Sequence, residues 1–569
     1  MRTKPTDRWL WPVLLLLATG LFIATAGWGD LYNETDGQYG AAAKTMAGGG
    51  SWLLPENDGM PRLVKPPLLY WTMAASMKTF GVNAFAARFP DGLALLAWVL
   101  VTAGIGFKMG GAWRGFLAGA ILLTSLGLFT LGRIVMPEPL FSAFIAAAIS
   151  CVLCGRDHPS QRRIWYLGFW LCAALATFTK GPHGLLYLLL IVGGAARLHP
   201  PARRDLRGLL SWQGLGLFLV LNLPWYLFIE HRFPGWTANL FFTEHLGHLT
   251  GSAAPATDYS IVPRWQFLLL HGAWFFPWSL VALVALGMTW KQIQVRRLIP
   301  STFPAALVTS WAAIILASVL LAGQRQDYYA MAMWPAMALG VAALIENRSL
   351  RPAMLTLTSL LALGFFAALA MPLLTTTPTE TASVAARATA WTTLTNFDRS
   401  VWQSLRLTAL WALGVSTLGA AAASILAGRK QVLALLAAAA ALALGAISGF
   451  SVVSPYFSLA QVAPFLHTNA TPNTLLVYDG GLDSGSSLLF YTDLPVTWLD
   501  QNPEEDFITR KFGIGKNLFL TTPQLMEIWN SPTPVLLVTE KSKLVYWELL
   551  TGSHLFPAAQ CGTQIILKN

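Results

Sequence analysis

Long apolar runs alternate with short polar segments along most of the chain, and each run has the length of a membrane helix, about 20 residues. They fall at about 9–27, from about 90 to Phe107, twice within 115–155 around "GRIVMPEP", twice within 164–196 around "TKGPHG", and at about 208–230, 266–288, 303–322, 329–345, 352–373, 406–426 and 431–452. The stretch 164–196 must be two helices. As one helix it would span roughly 50 Å against a hydrocarbon core of about 30 Å, and a hairpin keeps the Arg clusters at its two ends on one side. The pattern predicts an α-helical polytopic membrane protein of about thirteen transmembrane helices.

Composition agrees. Hydrophobic residues make up 55% of the 569 and charged residues 11%, where a soluble domain carries roughly a quarter charged; mean hydropathy is +0.53. The 24 Trp suit interfacial belts. The net charge of +11 is mainly a topology signal. The segments "MRTKPTDR", "GRDHPSQRR", "RLHPPARRDLR", "KQIQVRR", "ENRSLRP" and "GRKQ", with Lys108 and Arg114, hold 19 of the 38 Lys and Arg, and short basic loops mark the cytoplasmic side. Nucleic-acid binding is therefore not expected. The N-terminus is expected inside as an uncleaved span, and the C-terminus outside. Cys151, Cys154, Cys172 and Cys561 imply no disulfide framework; Cys151-x-x-Cys154 on a membrane helix reads as packing.

After about Val453 the composition changes to short apolar strands with Gly, Asp and Pro turns. The expected organisation is a membrane domain over 1–452, with a first outer loop at about 28–90 bearing juxtamembrane helices, and a small outer α/β domain over 453–569. Two further outer segments lie at 230–265 and 374–405.

The unusual polar residues gather on the outer side, where charges at a membrane boundary are costly and tend to be functional. "WGDLYNETDGQYGAAAKTM" carries Glu34 and Asp36; Asp36 can equally be a helix N-cap, and Glu34 a solvated acid. In "LVKPPLLYW" the two prolines hold Lys65 beside a helix start, where N–H groups, helix dipole and ammonium together suit a phosphate; the alternative is interfacial snorkelling. Glu138 lies between prolines at another mouth, as a helix cap or a site acid. Lys180 sits at the outer tip of the 164–196 hairpin. Arg325, in "GQRQDYY", suits an anion or serves as an anchor. Glu244, His245 and His248 offer metal-ligand types, although two His are a weak zinc signal.

In order, "SWLLPENDGMPRLVKPPLLYW", "TKG", "LPW", "EH" and an Arg followed by Tyr329 and Pro335 resemble the polyprenyl-phosphate-sugar-dependent membrane glycosyltransferases, the aminoarabinose-transferase and protein-mannosyltransferase-like group with the GT-C fold. The resemblance covers the membrane region to about residue 345 and the later spans more loosely. It implies a bacterial inner-membrane enzyme whose donor is a sugar on undecaprenyl phosphate and whose acceptor is a lipid, glycan or protein on the outer face. It places Lys65 and Arg325 at the lipid phosphate, an acid of the first outer loop (Asp36, or Glu34) at the acceptor, and Tyr39, Glu138, Lys180, Tyr329 and His245 in the cavity. A divalent metal is possible in such a site. Two positions depart from the family pattern: Thr35 stands where the first of two acids is usual, and Val64 replaces the acid before "KP". Attack of an acceptor hydroxyl on the anomeric carbon, with a carboxylate as base and cations stabilising the leaving phosphate, would invert that carbon. The rival readings are a lipid-linked sugar transporter or flippase, whose ionisable groups usually sit near the midplane, and a scaffold that has kept the fold without activity.

Overall fold

The computed structural model describes residues 7, 9–250, 262–289, 300–346, 350–370, 397, 399–502 and 506–569. The apolar runs form helices: α1 (Leu10–Ala18, continued by a π-helical turn to Ala24), α2 (Thr35–Ala47) and α3 (Leu68–Phe80) in the first loop, then α4 (Ala84–Gly110), α5 (Ala112–Leu123), α6 (Leu126–Leu131) and α7 (Glu138–Asp157). There follow α8 (Arg162–Lys180), α9 (His183–Leu198), α10 (Trp212–Arg232), α11 (Arg264–Trp274) and α12 (Trp278–Thr289). The last group is α13 (Phe303–Leu321), α14 (Trp334–Ile345), α15 (Arg351–Ala370), α16 (Arg399–Ile425) and α17 (Gly428–Phe457). Among the described residues seven helices are long and apolar enough to cross a bilayer, or nine if two sharply bent pairs each count as one span, and three more apolar helices are shorter.

The hairpin deduced from length is present. Between α8 and α9 the chain turns at Gly181 with φ +90, a conformation that disfavours any side chain. At the far end of the hairpin Arg156 and Arg162 both pair with Asp205, at 3.3 and 3.1 Å.

Several of the basic segments are in contact with one another. Asp7 pairs with Arg429, Lys108 with Asp157 at 2.7 Å and Arg114 with Glu346 at 2.6 Å, so the basic segments meet one another on one face. On the other face Arg88 and Arg133 bind the carbonyls of the first loop, and Lys180 meets Glu138.

Helix α17 runs to Phe457, slightly past the composition change at Val453, because "VVSPYF" continues the apolar face and its Pro455 lies within the final turn. Beyond it lies a six-stranded sheet in the order β5-β4-β3-β6-β8-β7, where β3 is Leu475–Tyr478, β4 Val496–Leu499, β5 Phe519–Leu520, β6 Val535–Glu540, β7 Ala559–Cys561 and β8 Gln564–Lys568. Strands β5 to β6 run parallel, and β8 and β7 close the edge antiparallel. Alternate residues face opposite sides of a strand. Tyr478 and Val538 thus pack in one apolar cluster while Val477 and Leu537 pack in another, which covers the second face.

This sheet docks on the first loop. Gly37 lies so close to the helix at Ser487–Tyr491 that a Cβ there would come within 2.5 Å of the Ser487 nitrogen. Lys44 Nζ donates to the carbonyls of Phe490 and Thr492 at 3.1 and 2.7 Å and pairs with Asp493. A two-residue hairpin, β1 (Glu56–Asn57) and β2 (Met60–Pro61), brings Asp58 to accept the Val496 N–H at 2.9 Å. The sheet and the first loop therefore share one face of the helical body.

Candidate active site

The first-loop acids have unlike surroundings. Asp36 is fully buried. Its Oδ2 accepts the Tyr32 N–H at 3.0 Å and lies 3.3 Å from Arg88 Nη2, and its Oδ1 accepts the Val135 N–H. It sits in the first turn of α2, where a carboxylate suits the helix dipole, but reaches back to the preceding loop instead of capping its own helix. Burial pushes its carboxyl above the ordinary range, against the pull of Arg88 and of the two N–H groups. Arg88 in turn donates to the carbonyls of Gly29 at 2.8 Å, of Arg133 at 2.9 Å and of Asp30. Glu34 is exposed and has φ +66, a left-handed backbone uncommon outside Gly. Its N–H donates to the Asp483 carbonyl at 2.8 Å, and its carbonyl accepts the Ser486 hydroxyl at 3.1 Å, so the segment between β3 and β4 holds the strained residue.

Three of the residues singled out in the sequence come together at the hairpin tip. Glu138 opens α7 behind Pro137. Its Oε1 is 2.7 Å from Lys180 Nζ, which also stands 4.9 Å from the Tyr329 ring centre and 5.4 Å from that of Phe141. The second oxygen, Oε2, is buried without a protein partner, so this cluster has an acceptor left for a ligand hydroxyl or water.

The other candidates lie on α2, just before α3 and just after α13. Tyr39 is buried, stacked on Tyr70 at 5.0 Å and covered by the Arg62 guanidinium at 5.0 Å. Lys65 is half-buried, just before Pro66 and the capping Pro67 of α3, the helix-start position foreseen for an anion. Arg325 is buried, and its guanidinium donates to three carbonyls, those of Val262, Val319 and Ala322. Those bonds close the C-terminal end of α13 and tie it to the start of α11, leaving only its remaining N–H groups for an anion. Glu244, His245 and His248 have side chains outside the described residues. Among the described residues no group of three or more His, Cys, Asp and Glu could hold a metal ion.

Two buried groups carry more of this architecture than sequence reasoning assigned them. Arg133 donates to Thr25 Oγ1 at 3.0 Å and to the Trp28 carbonyl at 2.8 Å. Asp91 accepts the Met136 N–H at 3.2 Å, and its other oxygen is buried without a partner. The signal for Asp91 was available: an acid beside a proline at the start of an apolar run is a costly placement.

The sequence pattern of the dolichyl-phosphate-mannose-protein mannosyltransferase family matches residues 39–238, which take in Tyr39, Lys65, Glu138 and Lys180. An undecaprenyl phosphate-alpha-4-amino-4-deoxy-L-arabinose arabinosyl transferase of Pseudomonas fluorescens is 26% identical over 296 residues, covering 50% of this chain and 52% of that protein. A second from the same organism is 27% identical over 357 residues, covering 61% and 58%. The chain spans about half the length of the curated relatives it matches. Among solved structures, ArnT from Cupriavidus metallidurans bound to undecaprenyl phosphate superposes with a TM-score of 0.78 at 19% identity over 98% of both chains. Over residues 39–238 the chain is thus similar to lipid-phosphate-sugar-dependent membrane glycosyltransferases. At 19% identity the structural likeness speaks for the fold, and it extends through the C-terminal sheet; apo ArnT gives a TM-score of 0.80 over 98% of this chain. Thr35 and Val64 remain the two departures from the resemblance noted in the sequence. Thr35 is the first residue of α2, and Val64 is exposed beside Lys65.

Proposed function

We propose that the protein is a bacterial inner-membrane glycosyltransferase that moves a sugar from undecaprenyl phosphate to a hydroxyl-bearing acceptor (a lipid, glycan or protein) on the periplasmic face, by direct displacement with inversion. About thirteen crossings, with the sheet-bearing residues after Phe457 as a separate periplasmic domain, complete that topology. The observation that carries the reading is the Glu138–Lys180–Tyr329 cluster, with its buried unpartnered carboxylate oxygen, on the same face as Lys65 and the first-loop acids. The activity of the similar arabinosyl transferases and the undecaprenyl phosphate bound to ArnT support the donor class.

The geometry supports a division of roles. Lys65, at the start of α3, takes the donor phosphate and balances charge as it leaves, the preorganised stabilisation that low-dielectric sites make strong. Arg325, which closes the end of α13, lends its remaining N–H groups to the same phosphate. Glu138 and Lys180 position the sugar. Of the two acids named from the sequence, exposure favours Glu34 as the base that takes the acceptor proton, with Asp36 holding the loop through Arg88.

The test is protein reconstituted in lipid, supplied with a panel of undecaprenyl-phosphate sugars and native membrane extract, with release of free undecaprenyl phosphate followed over time. Release that depends on Lys65 supports the proposal. Movement of intact lipid-linked sugar across the bilayer without release would make the protein a transporter.

A further inference from the structure

An apolar cavity of about 350 Å³ opens between α6, the bend joining α11 to α12, and helices α15, α16 and α17. Phe276, Leu361, Leu405, Ala409, Ala446 and Gly449 are among its walls, and none of its lining residues belongs to the Glu138–Lys180–Tyr329 cluster. The volume is within the roughly 300–1,000 Å³ of ligand sites. The hydroxyl of Thr124 in its wall is already engaged, donating to the Ala120 carbonyl and accepting from Trp278 Nε1. Small residues make the space. Gly445 and Ala412 bring α16 and α17 into close approach, and toward the end of α17 nearer the first loop a Cβ on Gly449 would still meet Leu405 only at 3.8 Å. That end adjoins Phe450, whose carbonyl accepts the Tyr32 hydroxyl at 2.5 Å, so this rim lies on the face of the first loop.

Arg406 follows the wall residue Leu405 in α16. It precedes Ala409 by three residues and Leu413 by seven, so all three share one side of α16, and helical side chains lean toward the N-terminal, rim end. Its Nε is buried and has no hydrogen-bond partner, an unmet demand for an acceptor in a poorly solvated place. The walls suit hydrocarbon and the rim suits an anion. One molecule supplies both.

We infer that this cavity retains an anionic diacyl phospholipid, one acyl chain lying between α15, α16 and α17 and its phosphate group on Arg406, as a lipid site separate from that of the sugar donor. The site does not depend on the transfer reaction.

Native mass spectrometry of the purified protein, delipidated and then titrated with phosphatidylglycerol or phosphatidylethanolamine of identical chains, tests it. Wild-type protein should retain the anionic lipid about fivefold better, the scale of one interfacial cation. Arg406→Gln should bring the ratio near one, and Gly449→Leu should cut retention of both lipids while the melting temperature holds. Equal retention by the wild type, or an unchanged ratio in Arg406→Gln, overturns the inference. So does displacement of the phosphatidylglycerol by stoichiometric undecaprenyl phosphate, which would make this the donor's own groove. Should Gly449→Leu fail to fold, Arg406→Gln decides alone.

Discussion

Lys180 Nζ lies 2.7 Å from Glu138 Oε1, tying the tip of the α8–α9 hairpin to the first turn of α7, with side chains only 14% and 5% exposed. Removing one partner of such a buried pair leaves an uncompensated charge and costs about 3–5 kcal/mol, whereas removing both costs far less. Lys180→Met should therefore lower the thermal midpoint in detergent sharply, and Lys180→Met with Glu138→Gln should recover part of it. Fluorescence-detected melting of the two variants measures this. Equal midpoints would show that the two groups are not coupled.

On the proposed roles, the two first-loop acids separate stability from chemistry. Asp36 accepts two backbone N–H groups and faces buried Arg88. Asp36→Asn turns one of those acceptors into a donor and leaves Arg88 without its counter-charge, so it should cost about 3–5 kcal/mol. Glu34→Gln changes an exposed side chain and should stay within about 0.5 kcal/mol, while stopping release of undecaprenyl phosphate. If Asp36→Asn melts like the wild type and release stops, the base is Asp36.

These pairings show where sequence reasoning reaches. The helical character of the apolar runs, the hairpin at Lys180 and the shared face of the basic loops follow from helix length and charge, which act over one or two elements. The burial of Asp36 does not. It depends on Arg88 and Val135, both distant in sequence, converging on one carboxylate, and no local pattern carries that. Arg325 is similar: an Arg at an outer mouth reads as an anion site, yet its guanidinium folds onto three carbonyls because α13 ends there with acceptors to satisfy. The docking of the sheet on the first loop was equally invisible, since it rests on close approach at Gly37.

That approach can be tested directly. A side chain at Gly37 must displace the backbone of Ser486 and Ser487, and overpacking of this kind costs about 1–3 kcal/mol. Gly37→Val should loosen the Asp483 and Ser486 contacts to Glu34 without disturbing the membrane helices. Hydrogen exchange at residues 479–487 should accelerate, with exchange in α7 and α8 unchanged. Uniform acceleration would mean the domain is not a separable contact.

Cys561 joins the sheet to the end of α17, its thiol donating to the carbonyls of Pro455 and Ser458 at 3.3 and 3.2 Å. Burial pushes that thiol up to about 11. Only a thiolate alkylates. At pH 8 roughly one part in a thousand of Cys561 is ionised, against about a quarter of an ordinary thiol near 8.5. Iodoacetamide should therefore label Cys561 at least about two-hundredfold more slowly in folded protein than in urea. Because the folded value is raised, the stability these thiol contacts contribute is present below the ordinary thiol range and is lost as pH climbs through about 11. Peptide-resolved labelling from pH 8 to 11 should show the rate climbing about tenfold per unit. Rapid labelling at pH 8 would mean that α17 and the sheet part readily at this seam.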